Sequence, residues 1–516
     1  WNSWVTQKMK VMSMAAIQVA KYAFSSRVKS TAPLQMNRMR NCLTTTRTAM
    51  NRATVARCCG NGGGRRYSSS SSRLNASSFH LASRLDNLDR PTVWHEFSPL
   101  AAEHQSINLG QGFPDWDPPE FAIDSMIQAI DNPKFHRNAN QYARSAAHLP
   151  LAVQLAADYE DKLERESIDP LTEVATALGC TNALYCALCG IIDEGDEVIL
   201  LEPAFDIYDA QVKMAGGNVK FVPLRLATAT ATEPTSDDRP TVNSMFTLDM
   251  NELEQAITPK TKLFILNTPH NPTGKMFTKS EMESIADIME RNPHVTVITD
   301  EVYEHIVFDP VNYPHISFAS LPGMYDRTIT LSSSGKTFSA TGWKIGWAIG
   351  PPHLIRAVSS VQQWVSFCVP TPNQDAIALC LAKAKEPYQG HDSYYLYLAA
   401  EYLRKRDLLM SAMECAGITP IVPSGGFFIM GDTSRISFPS SYLDEITPAM
   451  PCTPMPRDWA MSRWMTKEVG VTTIPPSAFY GKETLHLAKD LQRFAFCKGD
   501  DTILEAKAKF EDYFGK

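Results

Sequence analysis

At 516 residues, 44% hydrophobic and 20% charged, the chain is long enough for two or three domains and has an ordinary globular composition. No uninterrupted apolar run reaches about 18 residues, which argues against a membrane-spanning helix. The formal net charge of -7 is unevenly spread: no Asp or Glu precedes Asp86, so the rest of the chain is clearly acidic, which argues against a nucleic-acid surface.

Lys8, Lys10, Lys21, Arg27, Arg38, Arg47, Arg65 and Arg66 lie in that acid-free stretch, with abundant Ser and Thr and the run Ser68 to Ser72. Basic, Ser-rich and acid-free describes an organelle transit peptide. Arg65-Arg66-Tyr67-Ser68 is similar to a mitochondrial processing pattern, so residues 1–67 are expected to be a disordered transit peptide for the mitochondrial matrix. A plastid signal and a basic binding tail are the alternatives. Residues 68–99 read as an N-terminal arm.

From Val174 short apolar strands alternate with amphipathic helices. Glu197–Leu201, Asn218–Val222, Lys262–Leu266, His294–Ile298 and Arg327–Leu331 are predicted strands, and 279–291 is a predicted helix. That alternation predicts an α/β domain with a mainly parallel sheet, sandwiched by helices, whose ligands gather at the carboxyl ends of the strands. The Thr, Ala, Asp and Pro of residues 225–243 read as a loop insertion. After Pro351 the pattern turns helical through 388–415. A smaller α+β unit follows, with a strand over 425–430 and a closing helix over 502–514. The expected division is a large domain, 119–394, and a small one, 100–118 with 395–516. Eleven cysteines show no regular spacing, and the lone Cys186-x-x-Cys189 lacks a partner pair, so free thiols and no metal site are expected.

Several residues ask for a ligand. Asp300 ends an apolar strand, where a carboxylate is costly to bury without a partner. Arg493 lies among apolar residues in Gln492-Arg-Phe-Ala-Phe, where a guanidinium wants a bidentate carboxylate. Gly179-Cys-Thr-Asn follows a strand and opens a helix, the geometry that presents backbone N–H groups to a phosphate. Each has a plainer alternative: an N-cap aspartate, a structural salt bridge, an ordinary turn.

Together these residues fall in an order that resembles the class I/II pyridoxal-phosphate-dependent aminotransferases. The resemblance is carried by Ser333-Ser-Gly-Lys336-Thr-Phe-Ser-Ala-Thr-Gly-Trp-Lys344, Asn267-Thr-Pro-His-Asn271-Pro-Thr-Gly, Thr299-Asp300-Glu-Val-Tyr303 and Asn108-Leu-Gly-Gln-Gly112. It runs from about Leu85 to the C-terminus and is strongest toward the kynurenine aminotransferase / glutamine transaminase K group. It implies the fold type I architecture of such enzymes and pyridoxal 5'-phosphate as cofactor. Lys336 would bind the cofactor covalently and then serve as the base at the substrate α-carbon. Asp300 would pair with the pyridine nitrogen, while Asn271 and Tyr303 hydrogen-bond the ring oxygen. Cys180 and Thr181 would hold the phosphate through their N–H groups, with Ser333 and Lys344 adding side chains. Phe205 would stack on the ring, with a core phenylalanine as the alternative.

The resemblance further implies that Arg493, with Gly112 and Asn271 beside it, clamps the substrate carboxylate. Trp94, Phe367 and Phe479 would line the side-chain pocket. Tyr142 would reach the neighbouring subunit's phosphate, and Phe367 would come from the partner, which makes a homodimer with shared sites. The expected reaction moves an amino group from kynurenine, glutamine, methionine or an aromatic amino acid to a 2-oxo acid by a ping-pong route. β-Elimination from cysteine conjugates on the same site, and a catalytically silent scaffold, are the alternatives. A nicotinamide enzyme lacks support, because no GxGxxG follows a strand. Thr181, Cys368 and Ala146-Ala147-His148 depart from the group's usual pattern and leave the preferred amino acid open.

Overall fold

The computed structural model describes residues 80–131, 140–227, 246–310 and 313–515, all within one compact unit, Phe79–Lys516. The expected transit peptide, and the expected loop insertion from residue 228 onward, lie outside the described residues.

The strands in chain order are β1 (Ile107–Asn108), β2 (Val174–Leu178), β3 (Glu197–Glu202), β4 (Asn218–Leu226), β5 (Phe246–Leu248), β6 (Thr261–Asn267), β7 (Thr296–Asp300), β8 (Thr328–Ser333), β9 (Ile345–Ile349), β10 (Thr419–Ile421), β11 (Phe428–Asp432), β12 (Val471–Thr472) and β13 (Leu491–Ala495). Eight of them form the central sheet in the order β2-β9-β8-β7-β6-β3-β4-β5. Pairing is parallel from β8 through β7, β6 and β3 to β4, and antiparallel at β2–β9, β9–β8 and β4–β5. The mainly parallel sheet is therefore observed, with β9 and β5 reversed. Because β9 is reversed between β2 and β8, those two point the same way, and the carboxyl ends of β2, β3, β6, β7 and β8 share one edge.

The apolar runs form buried strands because helices cover both faces. Alternate residues divide between the faces as the pleat requires. Val198, Leu200, Leu263 and Ile265 pack with Leu184, Leu188, Val212 and Leu354, from helices Cys180–Ile191, Asp206–Met214 and Pro352–Val365. Ile199, Leu201, Phe264 and Leu266 face the other way, against Met282, Ile285 and Met289 of helix Lys279–Arg291. That helix has the predicted bounds because Thr278 and Glu281 cap it reciprocally: the Glu281 N–H donates to Thr278 Oγ1 at 3.2 Å and the Thr278 N–H to Glu281 Oε2 at 2.8 Å.

β10, β11 and β13 make a separate antiparallel sheet, packed with helices Tyr394–Cys415 and Asp500–Phe514. Several predicted boundaries shift, three of them with a consequence for the start of the element. The helix expected from residue 388 starts at Tyr394, where the Ser393 hydroxyl caps Leu396. The strand expected from residue 425 starts at Phe428, after Gly426 takes a positive φ. The strand expected from residue 294 starts at Thr296. Among the described residues no helix is long and apolar enough to cross a membrane, and no His/Cys/Asp/Glu group is arranged for a metal.

Candidate active site

A cavity of about 700 Å³ opens at the carboxyl ends of the parallel strands. Trp94, Gly112, Cys180, Thr181, Phe205, Asn271, Asp300, Tyr303, Ser333, Lys336, Lys344 and Arg493 all line it, so twelve of the fifteen residues singled out above come together there. The other three do not. Phe479 is buried behind Trp94 and Arg493 rather than lining the space, with its ring centroid 6.4 Å from that of Trp94. Tyr142 and Phe367 are 81% and 54% exposed and pack edge-to-face on each other at 5.0 Å, outside the cavity of their own chain.

Lys336 does not sit on a loop, as its small neighbours suggest, but in the short helix Ser334–Thr337 directly after β8. Its amine reaches the cavity and donates to the Gly112 carbonyl at 2.9 Å. Burial pulls its pKa down to about 8. A neutral, nucleophilic amine is thus accessible near neutral pH, which is what condensation with an aldehyde requires. Gly112 has to be glycine: a Cβ there would lie 2.3 Å from the Phe428 ring.

Asp300 ends β7, buried, and burial raises its pKa. Its hydrogen-bond donors are uncharged. The Tyr208 hydroxyl donates to Oδ2 at 2.6 Å, the Val302 N–H to Oδ1 at 3.2 Å and the Cys180 thiol to Oδ1 at 3.4 Å. Asn267, paired with Asp300 in the sheet, fixes the neighbouring backbone: its amide donates to the Asp300 carbonyl and its oxygen accepts from the Asn271 N–H at 2.7 Å. The result is a buried carboxylate aligned by neutral donors and facing a cavity, which fits a pyridinium nitrogen.

A second layer holds this segment from below. Glu301 accepts from Ser317 and bonds His315. Glu304 accepts from Tyr159 and Ser332 and is ion-paired with Lys162. Burial opposes the Glu304 charge, but Lys162 outweighs it and keeps the carboxyl well below the usual range.

Helix Cys180–Ile191 begins at the same edge. Its N-cap, Gly179, has φ +81°, a conformation that costs a side-chain-bearing residue energy, and the Lys344 amine would lie 3.2 Å from any Cβ there. Unsatisfied N–H groups at a helix start beside an ammonium make a cradle for a phosphate dianion. Ser333, at the end of β8, lines the same corner. Phe205 forms one wall at the start of helix Asp206–Met214.

Arg493, on β13, is 1% exposed. Its Nη2 donates to the Gly110 carbonyl at 2.7 Å and Nη1 to Asn271 Oδ1 at 3.3 Å, while Nε has no partner among the described residues. The guanidinium lies 4.2 Å from the Phe428 ring centroid, 4.9 Å from Phe479 and 5.4 Å from Trp94. Burial lowers its pKa to about 10, against the pull of Tyr303 and Asp206. A buried guanidinium without an ion pair among the described residues fits an incoming carboxylate.

Sequence reasoning missed Tyr208, Asn267, Asp206 and Phe428. Two had a usable signal: Asn267 opens a motif quoted for Asn271, and Tyr208 lies one helical turn after Phe205.

The class I and II aminotransferase family model matches residues 104–504. The kynurenine--oxoglutarate transaminase of Dictyostelium discoideum is 44% identical over 420 residues, covering 81% of this chain and 92% of that protein. The kynurenine--oxoglutarate transaminase 3 of Homo sapiens is 39% identical over 427 residues, covering 82% and 88%. Among solved structures, Bna3p from Saccharomyces cerevisiae superposes with a TM-score of 0.74 at 31% identity, covering 84% of this chain and 100% of that one. With a half-buried lysine, and a carboxylate and a guanidinium that have no ion pair among the described residues, meeting in a strand-edge cavity of a chain so matched, this chain belongs to the class I and II aminotransferases and is a pyridoxal-phosphate-dependent transaminase.

Proposed function

We propose that the chain takes its amino group from kynurenine, glutamine, methionine or an aromatic L-amino acid and delivers it to a 2-oxo acid, in two half-reactions on one site. The observation that carries this reading is the aromatic surround of Arg493: the α-carboxylate binds the guanidinium, and the side chain then lies among Trp94, Phe205 and Phe428. The names of the relatives at 37–44% identity support it. Pyridoxal phosphate, when bound, supplies an aldehyde that condenses with amines and a ring that accepts the electron pair left on the substrate α-carbon.

The chain's own residues do the rest. Asp300 would hold the pyridine nitrogen in its charged state, with Tyr208 keeping Asp300 in place. Asn271 and Tyr303 would bond the ring oxygen. The N–H groups of Cys180 and Thr181, with Ser333 and Lys344, would hold the phosphate. Arg493 and Asn271 fix the substrate carboxylate, which sets the α-C–H toward Lys336. The Lys336 amine would take the proton from the substrate α-carbon and give it to the carbon that was the cofactor's aldehyde, its lowered pKa suiting both steps. A panel of amino donors against a common 2-oxo acid tests the substrate class. Kynurenine, glutamine, methionine and phenylalanine are expected to be turned over well above aspartate; aspartate as the best donor would overturn it.

The same reading assigns residues 119–394 to a large domain and 100–118 with 395–516 to a small one. It makes the chain a homodimer in which Tyr142 and Phe367 enter the partner's site. Their exposure, with that of Trp364 and Val365 beside Phe367, supports this. Sedimentation of a monomer would refute it. Residues 1–67 are proposed to carry the chain to the mitochondrial matrix, and a reporter fused to them that entered plastids instead would decide for the alternative.

A further inference from the structure

Trp94 and Asp206 are 112 residues apart, yet the indole Nε1–H donates to Asp206 Oδ2 at 2.7 Å. Trp94 sits in the first turn of helix Val93–Glu103, and Asp206 opens helix Asp206–Met214, directly after Phe205. Both residues line the cavity. A carboxylate is favoured at a helix start, so Asp206 is held there whether or not it meets the indole.

The indole is a donor only, on one edge of a flat ring, so a single fixed acceptor decides which way the ring lies. Packing alone does not, because Trp94 is only half-buried and its neighbour Phe479 is tilted 44° to it. In the orientation the bond fixes, the ring lies 5.4 Å from the Arg493 guanidinium, beside the place a substrate α-carbon must occupy. Asp206 Oδ2 is taken by the indole, while its charge also favours the Arg493 guanidinium; that second effect is shared by every donor that binds Arg493 and cancels in a ratio between donors.

We propose that Asp206 is a positioning residue for substrate selection: it fixes the Trp94 indole as the wall against which a flat, aromatic donor side chain packs. The inference rests on the donor class proposed above. A donor with a short aliphatic side chain binds Arg493 in the same way but does not reach that wall, so it is indifferent to the indole's orientation.

The experiment compares Asp206→Ala and Asp206→Asn with the parent holoenzyme, using kynurenine, phenylalanine and 2-aminobutyrate as donors. In Asp206→Ala the ratio of kcat/KM for each aromatic donor over 2-aminobutyrate is expected to fall about tenfold, mainly through KM. Asparagine keeps an oxygen acceptor and is expected to restore the ratio to within about threefold of the parent. The proposal is overturned if the ratio is unchanged in Asp206→Ala, or if all donors fall together with the cofactor's absorption, which marks a merely structural role. A parent enzyme that used phenylalanine but not kynurenine would refute kynurenine as donor and leave this comparison intact.

Discussion

Replacing Lys336 by alanine is expected to lower the rate of amino transfer by roughly 10^4-fold, the upper end of what a positioned acid–base group contributes. The half-buried side chain, in the short helix after β8, donates to the Gly112 carbonyl, and among the described residues lining the cavity the other lysine, Lys344, lies against Gly179 instead. Because the side chain projects into an existing cavity, its loss leaves the packing of the sheet untouched, so thermal stability of the cofactor-free protein should hardly change. A pH signature accompanies the effect. With the amine's pKa near 8, covalent capture of pyridoxal phosphate by the parent apoenzyme should quicken as pH rises toward 8 and level off above it. Single-turnover kinetics of the variant, and stopped-flow reconstitution of the parent, read the two effects separately. A variant retaining a tenth of the parent rate would contradict the role.

Asp300→Asn should separate activity from stability in the opposite sense. The amide keeps the shape, with its one oxygen accepting from the Val302 N–H and its NH2 facing the Tyr208 hydroxyl, which can turn to accept, but it cannot pair with a pyridinium. Losing one partner of a buried charge pair costs roughly 2–5 kcal/mol, or about 30- to 4,000-fold in rate or affinity. For the apoprotein the sign reverses. Burial raises the Asp300 pKa, so its ionised form is a liability to the folded chain that grows as pH rises above the ordinary carboxylate value. Removing the charge should leave the apoprotein melting at or above the parent at neutral pH. Added pyridoxal phosphate should then raise the melting temperature of the parent by more than that of the variant. An equal rise in both would mean that Asp300 does not meet the cofactor's charge.

The sequence made the central strands legible because burial on both faces leaves uninterrupted apolar runs, such as Lys262–Leu266, where hydrophobicity needs no partner to be seen. It also exposed the two costly residues, Asp300 and Arg493, since a charge in an apolar run advertises a missing partner. Strand direction was not legible: β9 is as apolar as its neighbours, and its reversal depends only on the short path from β8 through residues 334–344. The helical turn under Lys336 was hidden because Ser and Gly have weak preferences of their own, and tertiary packing decides. Tyr208 and Asp206 escaped for a different reason. Their partners, Asp300 and Trp94, are 92 and 112 residues distant, so although Tyr208 lies one helical turn after Phe205, nothing local in Phe205-Asp-Ile-Tyr tells which distant side chain either will meet.

The claim that Lys336 is the amine on which the cofactor is carried is tested most directly by visible absorption of the purified chain with pyridoxal phosphate. The account predicts a band that bleaches on adding kynurenine and returns on adding a 2-oxo acid; after borohydride reduction, which removes the band, and dialysis, the parent keeps the cofactor as a covalent secondary amine and a Lys336→Ala variant loses it. A parent protein that formed no such band, or a Lys336→Ala variant that retained it covalently, would contradict the account.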